Sequence, residues 1–320
     1  MSTGTVPPLK TILKSKDVED PVNVYVHRTL AYGFVWSIFR TSITPNMVTV
    51  LAIVLGLVAG CGFIWGTPAA MLVGGACLWA SAILDGADGM LARAKNLQSE
   101  FGRALDGTAD VLVAILTVFP AFYHIWVTYQ NPYHLLLMVP ALGLTVAHLA
   151  LYDFYKESYL RFTTPSRGEG RDADEIAEIV EDARNKGPVI RAALTYVLIP
   201  HLKRQKAFIT ALNPKAWRLD DLLEGDDQTP KIYRKLNLWP MRLWSLVSLA
   251  PHSYLMAICA MTDRLDVYLY IRVFLMNGIF LVTAVWQRHA TLATLNALAK
   301  PRTAESSDAE SSDIELPLVA

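Results

Sequence analysis

Four aspartates, Asp85, Asp88, Asp106 and Asp110, are the residues of this chain with the plainest capacity for chemistry. The first two are three positions apart and the last two are four apart, so on helices each pair shares a face. No charged residue lies between Arg40 and Asp85, and none between Asp110 and Asp153. The four carboxylates therefore stand at the ends of two apolar stretches, where an acid is costly beside lipid and defaults to a functional role. Adjacent antiparallel helices would aim all four at one point. Left empty, such a site repels itself and keeps some of its acids protonated; a divalent cation reverses that, because it favours every charge at once. The donors are hard oxygens with no His or Cys nearby, so Mg²⁺ or Mn²⁺ is expected and zinc is not. Aspartates acting singly as helix caps would explain one pair, but poorly explain four at these spacings.

Small residues surround the acids: Gly86, Ala87, Gly89, Ala92, Gly102, Ala104 and Gly107. Singly, each suits close helix packing in a membrane. Together, beside a metal cluster, they also let a ligand approach the backbone. Arg93 and Ser99 lie in the same connection. An arginine there serves as an ordinary basic anchor, or holds a diphosphate beside a carboxylate-bound metal.

The elements that must position these groups follow from hydropathy. The chain is 53% hydrophobic and only 18% charged, with a mean hydropathy of +0.30, and its apolar residues fall in long blocks. That pattern points to an all-α integral membrane protein, a bundle of membrane-crossing helices. A crossing needs about 20 apolar residues in a helix that satisfies its own backbone. Residues 41–84 supply two crossings around the turn "WGTP", and residues 111–152 supply two more around "YQNPYH". Residues 243–262 form a fifth and 267–287 a sixth, which makes six. Residues 20–40, rich in aromatics, read as a short N-terminal helix lying in the interface, with a helix packed on the bundle as the plainer alternative. Lys and Arg are equal in number to Asp and Glu, 29 each, so charge suggests no nucleic-acid partner. Cys61, Cys77 and Cys259 lie in apolar blocks and read as buried hydrophobes. The opening residues lack the apolar core of a cleaved signal.

The chain divides into a polar segment 1–19, the interfacial helix and spans one to four over 20–160, a polar insertion 161–236, spans five and six over 237–290, and a tail 291–320. The insertion holds a helical, acid-led stretch at 172–186, and the tail is too polar to fold. Arg93, Lys95 and Arg103 lie between spans two and three, and more basic residues follow span four, whereas the turns at 65–68 and 129–134 carry none. By the positive-inside rule, both termini and the aspartates face the cytoplasm.

The stretch "DGADGMLARAKNLQSEFGRALDGTAD" reads as D-x2-D-G-x2-A-R-x8-G-x3-D-x3-D, and in this it resembles the CDP-alcohol phosphotransferase family. Every fixed position is present: Asp85, Asp88, Gly89, Ala92, Arg93, Gly102, Asp106 and Asp110. The "TPN" of "ITPNMVT" is similar to the family's N-terminal element. The resemblance covers residues 20–160 and, by architecture, 237–290. It implies six helices with a cytoplasmic site in the plasma membrane, two Mg²⁺ or Mn²⁺ ions on the four aspartates, and a homodimer. It further implies transfer of a substituted phosphate from a CDP-alcohol, with CDP-diacylglycerol the favoured donor, to a hydroxyl acceptor with release of CMP, in phospholipid biosynthesis. Asp110 matches the family's base; Gly89, Arg93 and Ser99 match its CDP contacts, as do Asn46 and Thr49 from the N-terminal element. A small CDP-alcohol such as CDP-choline or CDP-ethanolamine donating to diacylglycerol is the alternative. For a phosphorylated acceptor, Lys156, Arg161 and Arg191 are the candidate basic residues.

Two readings of other classes compete. A divalent-cation transporter would use the acids as a pathway, but the acids stop at one edge and no inverted repeat or midplane charge continues them. A non-catalytic scaffold would use the acidic-serine tail and leave the intact aspartates unexplained. Charge placement yields one direct test of orientation. A cysteine at Thr67 should react with a membrane-impermeant thiol reagent in intact cells, and one at Ser99 should be protected until the membrane is opened. Efficient outside labelling at position 99 would invert the topology.

Overall fold

The computed structural model describes residues 7–8, 15–164, 199–222 and 228–299. Among these no strand occurs, and the chain is built of helices. A π-helical turn, Asn23–His27, leads into α1 (Arg28–Ile38). The helices α2 (Pro45–Trp65), α3 (Pro68–Lys95), α4 (Glu100–Tyr129) and α5 (Pro132–Thr163) follow. Then come α6 (Ile199–Leu212), a 3₁₀ segment Pro214–Leu222, α7 (Thr229–Ser245), α8 (Leu249–Met261), α9 (Leu265–Tyr270), a π-helical turn Ile271–Leu275, and α10 (Met276–Ala299). Six stretches are long and apolar enough to cross a membrane: α2, α3, residues 105–129 of α4, α5, α7 with α8, and α9 through α10. The chain is an all-α integral membrane protein, as hydropathy leads one to expect.

Local sequence sets the turns between the first four spans. Thr44, Thr67, Ser99 and Asn131 each place a side-chain oxygen on a free backbone N–H of the first turn of α2, α3, α4 and α5. Pro45, Pro68 and Pro132 occupy first-turn positions, where no N–H is missed. Gly66 ends α2 in the left-handed region at φ 71°, where glycine has no Cβ to strain.

Where the described structure departs from the sequence reading, extra packing is the reason. The fifth span begins at Thr229, because α7 buries Tyr233, Met241 and Trp244 before the break at residues 246–248. The sixth span runs on to Ala299, beyond the tail boundary drawn at 291. Thr291 and Thr294 on that extension are buried, accepting from Asn213 Nδ2 and Asn237 Nδ2 at 2.9 Å each. Part of the stretch read as a polar insertion also joins the bundle. α6 and the 3₁₀ segment bury Ile209, Ala216 and Leu219 in one apolar cluster with Tyr155, Tyr233, Trp244 and Phe280. The acid-led stretch 172–186, Arg191 and residues 300–320 lie outside the described residues. The N-terminal α1 buries Ala31, Val35 and Ile38 against α2 and α3, while Leu30 and Trp36 of α1, and Tyr25 in the turn before it, are exposed.

The helix that organises the site is α2, which packs closely on both α3 and α4. The α2–α4 crossing needs a glycine. A Cβ built on Gly60 would overlap the backbone carbonyl oxygen of Leu116, and no rotamer change can move a backbone atom aside. Ser81 Oγ donates to the carbonyl of Ala52 at 2.8 Å and ties α3 to α2 in the same region. Gly60→Ala should therefore part α2 from α4 and cost about 1–3 kcal/mol of stability. The checking measurement is thermal unfolding in detergent; an unchanged midpoint would show the crossing to be loose.

Candidate active site

The four aspartates come together at one end of the bundle, from the last turns of α3 and the first turns of α4. The backbones of α3 and α4 make little close approach of their own, and α2 lies against both. The carboxylates thus face each other across a gap with the first turn of α2 beside it. Asp85 and Asp110 are in hydrogen-bond contact across that gap, and the charges of Asp85 and Asp106 act on both Asp88 and Asp110. Asp88 is buried at 5% exposure, Asp85 and Asp110 are half-buried, and Asp106 is exposed. The site grades from a dry inner wall to a wet outer one.

α2 contributes the residues that the "TPN" element suggested. Thr49 Oγ1 donates a short hydrogen bond to Asp88 Oδ2, which fixes that carboxylate from the side of α2. Asn46 Oδ1 lies 3.5 Å from where a Cβ on Gly102 would stand, and Ser99 Oγ lies 3.1 Å from the same point. Gly102 is therefore the meeting place of Asn46 and Ser99. Ser99 accepts from Gly102 N at 3.0 Å as the N-cap of α4, so its hydroxyl serves the helix as well as the site. Arg93 lies back along α3 over Gly89, its guanidinium 3.4 Å from where a Gly89 Cβ would be. A basic, planar group over a bare stretch of helix suits a phosphate. Lys95 Nζ donates to the carbonyls of Thr41 and Ile43, at 3.0 and 2.8 Å, and so pins the end of α3 to the approach to α2. Asn46, Thr49, Gly89, Arg93 and Ser99 thus lie with the four aspartates at this end of the bundle, whereas Arg191 lies outside the described residues.

Three groups escaped the sequence reading. Asp153 on α5 acts electrostatically on Asp110 from a third helix. Glu19 and Arg28 form a near-buried pair at 2.7 Å, and Arg28 Nη1 donates to the carbonyl of Gly86 at 3.3 Å. A nine-residue spacing follows no helical period, so only the silent charge pattern around Arg28 and Asp85 could have hinted at their meeting.

A divalent cation fits the chemistry of this donor set. Two carboxyls in contact cannot both remain charged without a proton or cation between them, and every donor is a hard oxygen. Among the described residues, no three His, Cys, Asp or Glu side chains are already arranged to hold an ion.

Comparison with known proteins adds one finding. Residues 42–167, which span α2 through α5 and hold all four aspartates, match the family model described as CDP-alcohol phosphatidyltransferase. No curated protein matches the chain. The Thr49–Asp88 contact joins the two separated parts of the resemblance, so Thr49→Val, which keeps the shape and removes the donor, should lower turnover about 10- to 100-fold. Wild-type turnover in this variant would show that Asp88 needs no orientation from α2.

Proposed function

We propose that the chain is a membrane phosphotransferase using CDP-alcohol donors, a reading supported by the match of residues 42–167 to the CDP-alcohol phosphatidyltransferase model, and that Asp85, Asp88, Asp106 and Asp110 form its catalytic centre. The preferred donor is CDP-diacylglycerol, the acceptor is a small polar alcohol, and the product is a phospholipid. The observation that supports this reading is the convergence of the four carboxyls from α3 and α4, with the Arg93 guanidinium over Gly89 and Ser99 at the start of α4 beside them. Apolar side chains exposed at the same end, Leu97 and Phe101, suit a site that takes one lipid and one water-soluble substrate. Orientation toward the cytoplasm of the plasma membrane is supported by Arg93 and Lys95 in the α3–α4 connection.

In the proposed reaction, the acceptor hydroxyl oxygen bonds to the phosphorus that bears the donor's alcohol. The bond from that phosphorus to the CMP oxygen breaks, and CMP leaves. Asp110 takes the hydroxyl proton, which makes the oxygen a competent nucleophile. Arg93 and the backbone at Gly89 hold the diphosphate, and Asn46, Thr49 and Ser99 frame the cytidine end. Two Mg²⁺ or Mn²⁺ ions on the four aspartates would supply charge neutralisation at the phosphoryl oxygens. Asp88, held by Thr49, and the exposed Asp106 would be among the residues that hold the ions. A homodimer accords with the family.

The test is mass spectrometry of products made by purified protein from a panel of CDP donors and acceptors. CMP and a phospholipid should appear together with CDP-diacylglycerol. EDTA should abolish the reaction, Mg²⁺ or Mn²⁺ should restore it, and Zn²⁺ alone should not. Asp110→Asn should lose at least about 100-fold in rate while still binding the CDP donor. Near-wild-type turnover in that variant, or full activity without metal, would overturn the assignment.

A further inference from the structure

The catalytic machinery implied by the family match begins at residue 42, yet one of the best-held charged groups at the site lies upstream of it. Arg28, the first residue of α1, is bound through two nitrogens by one carboxylate: Nε to Glu19 Oε2 at 3.0 Å and Nη2 to Glu19 Oε1 at 2.7 Å. Its third nitrogen, Nη1, donates to the carbonyl of Gly86 at 3.3 Å. The two side chains are 12% and 7% exposed. A two-point carboxylate clamp leaves a guanidinium little freedom, so Nη1 is held in a set direction.

That direction matters because Gly86 lies between Asp85 and Asp88 on α3. A Cβ on Gly86 would stand 2.9 Å from Nη1, so the bare backbone is what lets the guanidinium sit there. Asp85 also acts electrostatically on Arg28. Burial works against the arginine's charge, but Glu19 and then Asp85 outweigh it and hold its pKa above the ordinary value. The anchor beneath the clamp is itself fixed. Neighbouring Asp17 pairs with Arg234 of α7 at 2.8 Å and accepts from Tyr159 Oη at 3.0 Å, and Val18 is buried with its carbonyl taken by Tyr152 Oη. Asp20 is buried as well and accepts from the N–H of Asn23 at 3.0 Å. Residues 17–20 therefore tie α1, α5 and α7 together.

We propose that Arg28, clamped by Glu19, is a positioning residue for the transfer reaction: it braces the Gly86 turn of α3 and so sets the direction of Asp85 toward Asp110. Thr49 orients Asp88 from α2, and Arg28 orients Asp85 from α1, so the two carboxylates of α3 are braced by two different helices. The working enzyme on this account extends back to residue 17. The proposal rests on the phosphotransferase reading above, and its test separates the two.

Three variants are compared with wild type: Arg28→Gln, Arg28→Lys and Gly86→Ala. The lysine keeps the charge but cannot reach Glu19 twice and Gly86 at once. The alanine keeps both charges and a good helix former while displacing Nη1, so it remains informative if Arg28→Gln folds poorly. Each should lower kcat at least about tenfold with KM for the CDP donor within about threefold, the signature of a lost transition-state arrangement. Amide hydrogen exchange at residues 84–89 should quicken in each variant. In the double variant E19R/R28E the ion pair is rebuilt, so the melting temperature should recover, while kcat should stay low because a carboxylate now faces Asp85. Recovery of kcat in that swap would make the pair a mere structural tie and overturn the proposal. So would near-wild-type kcat in Gly86→Ala, or unchanged exchange at residues 84–89. If wild type releases no CMP from any donor, the phosphotransferase reading fails, and the exchange comparison alone still decides whether Arg28 braces the turn.

Discussion

The carboxyls of Asp85 and Asp110 act on each other although they come from different helices, and two carboxylates brought together repel unless a proton or cation lies between them. Whatever holds α3 and α4 in place must work against this repulsion. The helices do not do it through each other, because their backbones make little direct contact. α2 does it, lying against both. Its approach to α4 is possible only because Gly60 carries no side chain, and its hold on α3 includes the hydrogen bond from Ser81 to Ala52. The arrangement keeps the acids close while leaving a gap between the helices that bear them. A site meant to take a nucleotide diphosphate needs that combination, since tightly packed helices would bury the acids and splayed ones would part them.

Around the carboxylates, fixed side chains divide the work by direction. Thr49 fixes Asp88 from α2. From α1, Arg28 lies on the Gly86 carbonyl, itself fixed by Glu19 and the anchored segment behind it. At the outer edge Lys95 ties the end of α3 to the start of α2, and the capping hydroxyl of Ser99 opens α4. Most of these contacts use backbone carbonyls or first-turn N–H groups as the partner. Such groups move only if a helix moves, so the geometry of the site inherits the rigidity of the bundle.

Much of this was legible without coordinates. Long uncharged blocks require membrane helices whatever their packing, because lipid leaves no other partner for the backbone. Thr-Pro and Asn-Pro pairs mark helix starts by local chemistry, and the turns at 65–68 and 129–134 fall where those pairs stand. The i,i+3 and i,i+4 spacing of Asp85, Asp88, Asp106 and Asp110 likewise follows from helix geometry alone. Element ends were less secure. Polar residues such as Thr291 and Asn213 look like surface until a partner from a distant helix buries them together.

What the sequence by itself determined, then, is what local chemistry sets within a single helix: which stretches cross, where the Pro-led helices α2, α3 and α5 start, and which acids share a face. Tertiary structure alone decided what crosses between helices. It placed α2 between the two acid-bearing helices, turned Asp88 to Thr49 and Asp85 to Asp110, and brought Glu19 and Arg28 to the motif from outside it. The physical reason is that helical periodicity repeats along one axis and is written in the order of residues. The meeting of Arg28 with Gly86, or of Gly60 with Leu116, depends on how separate axes pack, and no local spacing records that.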